Sequence, residues 1–253
     1  MNRLVPFLVL GCGLAALWAH DHIEVGEDPD EEGKIELFGP LAQVALWVPR
    51  GATFSNYAQL FPGGFFSNEL TFTTDNLVLD SLPPFSDPRI EFLSVTGPVG
   101  GEIGFWEPDA TSPTLSLLTG WTFSGGNAPG FAVELGGDGH VHGRLFTFTL
   151  PGTYTISMRA VSEANPSLTP SDPITTTFQA LEPPRLEIQT DGLNVTLSFL
   201  SRDLYSYEIQ RSTTLEPDDW EYVVTLEGSG SMLSHSEPLG SRKRVFYRLV
   251  EFR

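Results

Sequence analysis

Glycine and proline punctuate this sequence so regularly that no long regular element fits between them. Pro62-Gly63-Gly64, Pro83-Pro84, Gly97-Pro98, Gly125-Gly126-Asn127 and Pro151-Gly152 each mark a turn. Between them lie short runs of β-branched, aromatic and alternating apolar residues: 34–38, 43–48, 69–73, 89–95, 102–106, 144–150 and 153–161. No stretch carries the 3.6-residue apolar period of a helix. The sequence predicts an all-β protein built as a β-sandwich, of jelly-roll or immunoglobulin-like type. Hydrophobic residues make up 40% and aromatics 11% of the 253 residues, enough to fill a core despite the net charge of −18.

That charge narrows the partners. Lys and Arg number 14 against 32 Asp and Glu, so a phosphate backbone or an anionic lipid surface would be repelled, whereas cations would be attracted. Residues 1–19 read as a secretory signal peptide: Arg3 gives the positive start, 4–18 the apolar run, and Ala19 precedes the polar His20-Asp21-His22-Ile23-Glu24. The run is too short for a comfortable membrane span. A lipoprotein signal with Cys12 lipidated is the alternative. Cys12 is the only cysteine, so cleavage near Ala19 leaves an exported chain, secreted or periplasmic, without disulfides, thiolate metal sites or thiol chemistry. No membrane insertion is expected after cleavage.

The paired prolines of Leu181-Glu182-Pro183-Pro184 predict a linker, which divides the mature chain into a β-sandwich at 20–180 and a smaller unit at 185–253. Strand-like runs at 186–188, 195–199, 205–211, 220–226 and 244–250 give the second unit the size of a small sandwich. Its Tyr207-Glu-Ile-Gln-Arg-Ser212, Trp220, Gly228-Ser-Gly230 and Phe246-Tyr-Arg-Leu249 resemble the fibronectin-type-III-like C-terminal modules of secreted Verrucomicrobia and Planctomycetes proteins. That resemblance implies a structural or presentation module.

Histidine is scarce, and four of the five form two His-x-His pairs, His20-Asp21-His22 and His140-Val141-His142. Side chains two apart on a strand share a face, so each pair can offer two neutral imidazoles to one ion. Together, His20, His22, His140 and His142 supply four nitrogens, a set suited to zinc, with copper as the alternative. If the strand ran unbroken, His140 and His142 would share the apolar face of Phe146, Phe148 and Leu150; a bulge at Gly139 or Gly143 would reverse that. The fifth, His235, reads as a solvated loop residue. Cleavage after Ala19 would also free an N-terminal His20 able to clamp copper, as in copper-dependent oxygenases.

Three stretches carry a second resemblance: His20-Asp-His-Ile-Glu24; Val95-Thr-Gly-Pro98 with Gly104-Phe-Trp106; and Gly139-His-Val-His142 followed by Phe146-Thr-Phe-Thr-Leu-Pro-Gly-Thr-Tyr154. Over residues 20–162 the chain resembles the surface-anchored β domains of actinobacteria called choice-of-anchor M domains, and the related zinc-regulated secreted proteins of cyanobacteria. The resemblance implies extracellular metal handling, with His140 and His142 at the family's histidine pair and His22 at its early histidine. Arg144-Leu145 stands where that family commonly has a Trp.

Other motifs exclude more than they suggest. The acidic run 27–33 lacks the ligand spacing of an EF-hand and predicts a solvated hairpin loop. No nucleophile elbow, His-Glu-x-x-His helix or phosphate-cradling loop is present. Trp47, Trp106 and Trp121 lie in or beside strand runs and are expected in the core. The function expected is therefore non-enzymatic binding of a metal ion, zinc first, connected to metal acquisition, with a cell-surface or periplasmic protein as a further partner. The alternatives are a metal-free adhesion or carbohydrate-binding module and a copper oxygenase.

Overall fold

A computed structural model describes residues 22–50, 63–74, 79–83, 86–108, 110–133, 140–240 and 244–252; for 140–143 it gives the strand pairing alone. Residues 1–19, expected to form a signal peptide, and His20 lie outside these residues. The described chain is all-β and sandwich-like, as the turn-dense pattern requires.

The first body contains β1 (His22–Glu27), β2 (Ile35–Phe38), β3 (Ala42–Val48), β4 (Phe65–Thr73), β5 (Pro88–Thr96), β6 (Glu102–Trp106), β7 (Leu115–Leu118), β8 (Gly130–Ala132), β9 (His140–Phe148), β10 (Gly152–Ser162) and β11 (Ile174–Ala180). One layer pairs β2 with β1, β1 with β4, β4 with β9, β9 with β6 and β6 with β7. The other runs β11, β10, β5, β8. The two layers join through β3, whose Ala42–Ala45 half pairs with β11 and whose Leu46–Val48 half pairs with β4.

Alternation along the strands fills the space between the layers. Ile23 and Val25, Leu70 and Phe72, and Phe146 and Phe148 face Phe92, Tyr154, Ile156 and Phe178, all essentially inaccessible to solvent. Aromatic rings supply much of this core: Phe105 stacks on Phe131 at 4.4 Å, and Phe146 on Phe178 at 5.3 Å. Leu150, expected on the same face, lies beyond the end of β9 and is exposed, because the Pro151-Gly152 turn begins there. Trp106 is buried, and Trp47 and Trp121 pack partly buried against the core, as their strand positions predicted.

The glycine-rich turn 97–101 meets the Pro-Gly-Thr-Tyr turn around one ring. The Tyr154 hydroxyl donates to the Leu150 carbonyl (3.0 Å) and accepts from the Leu150 N–H (3.2 Å). A Cβ on Gly97 would sit 2.5 Å from that ring, and one on Gly101 2.6 Å from its hydroxyl. Both glycines are thus required by close approach. Burial of the phenol raises its pKa above the ordinary value.

Beyond the strand-free 181–186, β12 (Glu187–Thr190), β13 (Asn194–Leu200) and β16 (Met232–Pro238) form one sheet. β14 (Ser206–Ser212), β15 (Glu221–Glu227) and β17 (Phe246–Phe252) form another. Val195, Leu197, Phe199, Tyr207 and Ile209 make a hydrophobic cluster separate from the first. Glu251 is almost fully buried here; it accepts from Arg202 Nη1 (2.6 Å) and from the Tyr207 hydroxyl (2.7 Å). Burial first, then the neighbouring carboxylate, push the Tyr207 phenol up to about 12. β17 lies against β3, where Arg248 Nη1 donates to the Arg50 carbonyl (2.8 Å).

His235 departs from the sequence expectation. It sits mid-strand in β16 opposite the fully buried Leu197, not in a solvated loop, and its Nε2 is buried with no hydrogen-bond partner among the described residues. The strand was obscured because Met232 to Pro238 alternates with polar residues on its outer face. The acidic run does form a hairpin between β1 and β2, and Lys34 Nζ reaches both Glu31 (3.2 Å) and Asp172 (3.0 Å).

Candidate metal centre

Strand β4 is the axis of the region that holds the histidines. Its even positions Phe66, Leu70 and Phe72 enter the core, so its odd positions Ser67, Thr71 and Thr73 occupy the outer face. That face is covered as well: Thr71 and Thr73 are fully buried and Ser67 is nearly so. A sheet with one face in the core normally shows the other to water. Here the outer face is dry and polar.

β1 lies parallel along one edge of this part of β4, with His22 opposite Thr71, Ile23 opposite Phe72 and Glu24 opposite Thr73. Ile23 enters the core, and His22 and Glu24 therefore take the outer face. Glu24 is only 4% exposed, and its Oε1 accepts from the Leu79 N–H at 3.2 Å. His22 is half-buried.

β9 runs antiparallel along the opposite edge. Leu70 pairs with Arg144, Phe72 with Val141 and Thr73 with His140. One β4 residue, Thr71, thus faces two β9 residues, His142 and Gly143, which is a β-bulge. The bulge shifts the alternation of β9 by one position. The unbroken-strand expectation is corrected accordingly: His140 takes the register position of Thr73, not that of the core residues Phe146 and Phe148. Gly143 was one of the two glycines at which the sequence allowed this reversal.

Three strands then define two rows: His22, Thr71 and the His142–Gly143 bulge; and Glu24, Thr73 and His140. Ile23, Phe72 and Val141 run between them. Of the four predicted site residues, His22, His140 and His142 are brought to one patch of one sheet, and His20 lies outside the described residues. Among the described side chains no group of three or more His, Cys, Asp or Glu converges; that description does not extend to the side chains of 140–143.

Sequence reasoning missed Glu24, Thr71 and Thr73. Glu24 follows His22 by two residues, and Ile23 and Val25 alternate with them, so the strand parity was available. Reading 20–24 as the polar segment that follows the signal peptide hid it. Thr71 adds an independent feature: its Oγ1 is buried and has no hydrogen-bond partner among the described residues. Such an orphan costs about 1–3 kcal/mol unless something satisfies it.

Next along the same outer face, Trp106 Nε1 donates to Thr147 Oγ1 at 2.9 Å, and Trp106 and Leu145 form a small cluster with Val48, Phe65 and Ala110. Arg144 pairs with Glu107 at 3.2 Å and stands 5.8 Å over the Phe131 ring. Compared with models of known protein families and with curated proteins, the chain has no match.

Proposed function

We propose that this chain is an exported, non-enzymatic metal-binding β-sandwich protein that serves metal acquisition, and that its ion is zinc, held by His140 and His142 together with His22. The observation that carries the reading is the pair of rows across β4, which sets His22 on one side of Thr71 and the His142–Gly143 bulge on the other. Two strand spacings amount to about 10 Å between their Cα atoms. An imidazole plus a metal–nitrogen bond of about 2.0–2.1 Å reaches roughly 6 Å from its Cα, so residues on β1 and β9 are within range of one ion above the small Thr71.

The donors fit the ion. Imidazole nitrogens with a carboxylate nearby and no thiolate suit a borderline divalent metal. The buried Thr71 Oγ1, which has no hydrogen-bond partner among the described residues, is the kind of polar atom that a metal-bound water would satisfy. Zinc here would be cargo or a structural ion, and no chemical step is assigned to it. The fibronectin-like reading of 185–253 belongs to the same proposal, as a presentation module.

Metal analysis of the purified mature protein tests it. Near-stoichiometric zinc is expected, and its loss on replacing both His140 and His142 with Ala. Equal metal content in the wild type and that double variant would end the proposal.

A further inference from the structure

We infer that the C-terminal unit is locked onto the first sandwich rather than loosely tethered to it, and that Arg248 on β17 is the lock. The metal-binding reading is not needed for this and does not supply it.

Two units joined by a linker move relative to one another unless an interface holds them. The paired prolines Pro183-Pro184 stiffen the connection but do not fix the angle between the units. Strand β17 removes that freedom. Tyr247 and Leu249 pack on the second hydrophobic cluster, so Phe246, Arg248, Val250 and Phe252 take the opposite face. Such an outer face normally meets water. Here all four residues are half-buried, and β17 lies against β3.

Arg248 is the polar centre of this face. Its guanidinium carbon stands 4.2 Å from the centroid of the Trp220 ring, and its Nε donates to Gln210 Oε1 at 2.6 Å. The Gln210 amide donates in turn to Glu208 at 2.6 Å. Among the described residues no carboxylate lies within ion-pair distance of Arg248. A cation drawn out of water without a counter-ion is costly, and the lost hydration lowers the pKa of this guanidinium from its ordinary value. The arrangement makes sense as an anchor. Ring and amide hold the guanidinium in place, and Nη1 donates across to the Arg50 carbonyl at 2.8 Å.

The acceptor is as firmly set as the donor. The Gly64 N–H donates to the Val48 carbonyl at 2.6 Å, which ties the end of β3 to the start of β4. Gly63 and Gly64 both have positive φ; a Cβ on the first would collide with the Pro49 carbonyl, and one on the second would stand 2.9 Å from Arg50 Cγ. A second hold lies on the inner face of the same strand. The buried Glu251 accepts from Arg202 Nη1 at 2.6 Å, and Arg202 Nη2 donates to the Glu182 carbonyl of the linker, also at 2.6 Å. One strand thus grips the β3–β4 neck from one face and the linker from the other, which sets the orientation of the unit as well as its position.

Distance measurement between the units tests this. Residues 20–253 contain no cysteine, so Val99→Cys and Leu193→Cys, at positions 99% and 77% exposed in the two units, give two spin-label sites. Double electron–electron resonance on residues 20–253 should show one narrow distance distribution. Arg248→Ala in the same background should broaden it at least twofold, with the far-UV circular dichroism unchanged. Arg248→Lys, which keeps the charge but loses the Nε donor and the planar fork, should broaden it too and covers the case in which the alanine variant does not fold. A broad distribution in the parent chain would overturn the docking itself. A distribution as narrow as the parent's in a folded Arg248 variant would overturn the role of Arg248. Metal content enters neither readout, so failure here is distinct from failure of the metal-binding reading.

Discussion

Replacing Gly104 with Ala probes the packing beside the candidate centre. Gly104 lies in β6 and does not have a positive φ, so alanine meets no backbone penalty there. Its Cβ, however, would sit 2.5 Å from Thr147 Oγ1 and 3.2 Å from both Trp106 Nε1 and Pro113 Cβ. Ordinary contact begins near 3.4 Å, so the hydroxyl must retreat by about 0.9 Å. It can do so only by giving up its 2.9 Å hydrogen bond from the buried Trp106 indole, because threonine is stiff at χ1. Overpacking of this kind costs about 1–3 kcal/mol. Leaving the indole N–H unpaired costs a similar amount. Alanine returns about 0.5–1 kcal/mol through its lower backbone entropy. The net loss is about 1–5 kcal/mol, or about 2–20 °C in Tm for a body of this size. Urea unfolding followed by tryptophan fluorescence measures it. The mechanism also requires coupling: in a Thr147→Ala background the obstructing atom is gone, and Gly104→Ala should cost less than about 0.5 kcal/mol. A neutral Gly104→Ala, or additive costs in the double variant, would refute the reasoning.

Further outcomes follow from the second sandwich and from the histidines. Tyr207 titrates near 12 when folded against an ordinary 10.0, so its contribution to stability is intact below pH 10 and lost as pH rises towards 12. Alkaline unfolding midpoints of Tyr207→Phe should show a shallower decline over that window than those of the wild type, and parallel curves would contradict it. His235→Leu, which replaces a buried nitrogen that has no partner among the described residues by an apolar group, should stabilise the chain by about 1 kcal/mol in urea unfolding; a comparable loss would show that the imidazole is satisfied. Because a metal needs neutral imidazoles, bound zinc should be released as pH falls below about 6.5, seen by equilibrium dialysis across pH 5–8. Retention at pH 5 would argue against histidine ligands.

Much of the architecture was legible because its signals are local. Pro151-Gly152 ends β9 and starts β10, and the runs at 43–48, 89–95 and 102–106 became β3, β5 and β6 nearly residue for residue. Strands with weak local signals escaped notice. β1 hides behind charged outer residues, β7 and β8 are only four and three residues long, and β16 alternates with serines. The candidate centre was half legible. Parity along a strand paired His140 with His142, but only pairing across β4 sets His22 on the far side of the same strand, and only the bulge opposite Thr71 fixes the rows of the two β9 histidines. Long-range register of this kind leaves no trace in residue spacing. The same holds for Glu24, whose carboxylate accepts a hydrogen bond from the Leu79 N–H, distant in sequence.

Calorimetric titration of zinc into the purified mature chain bears most directly on whether strands on both sides of β4 serve one ion. One ion per chain is expected, with the same binding event weakened at least 10-fold by His22→Ala and abolished by His140→Ala/His142→Ala. Two independent events, or a single event indifferent to His22, would contradict a shared centre.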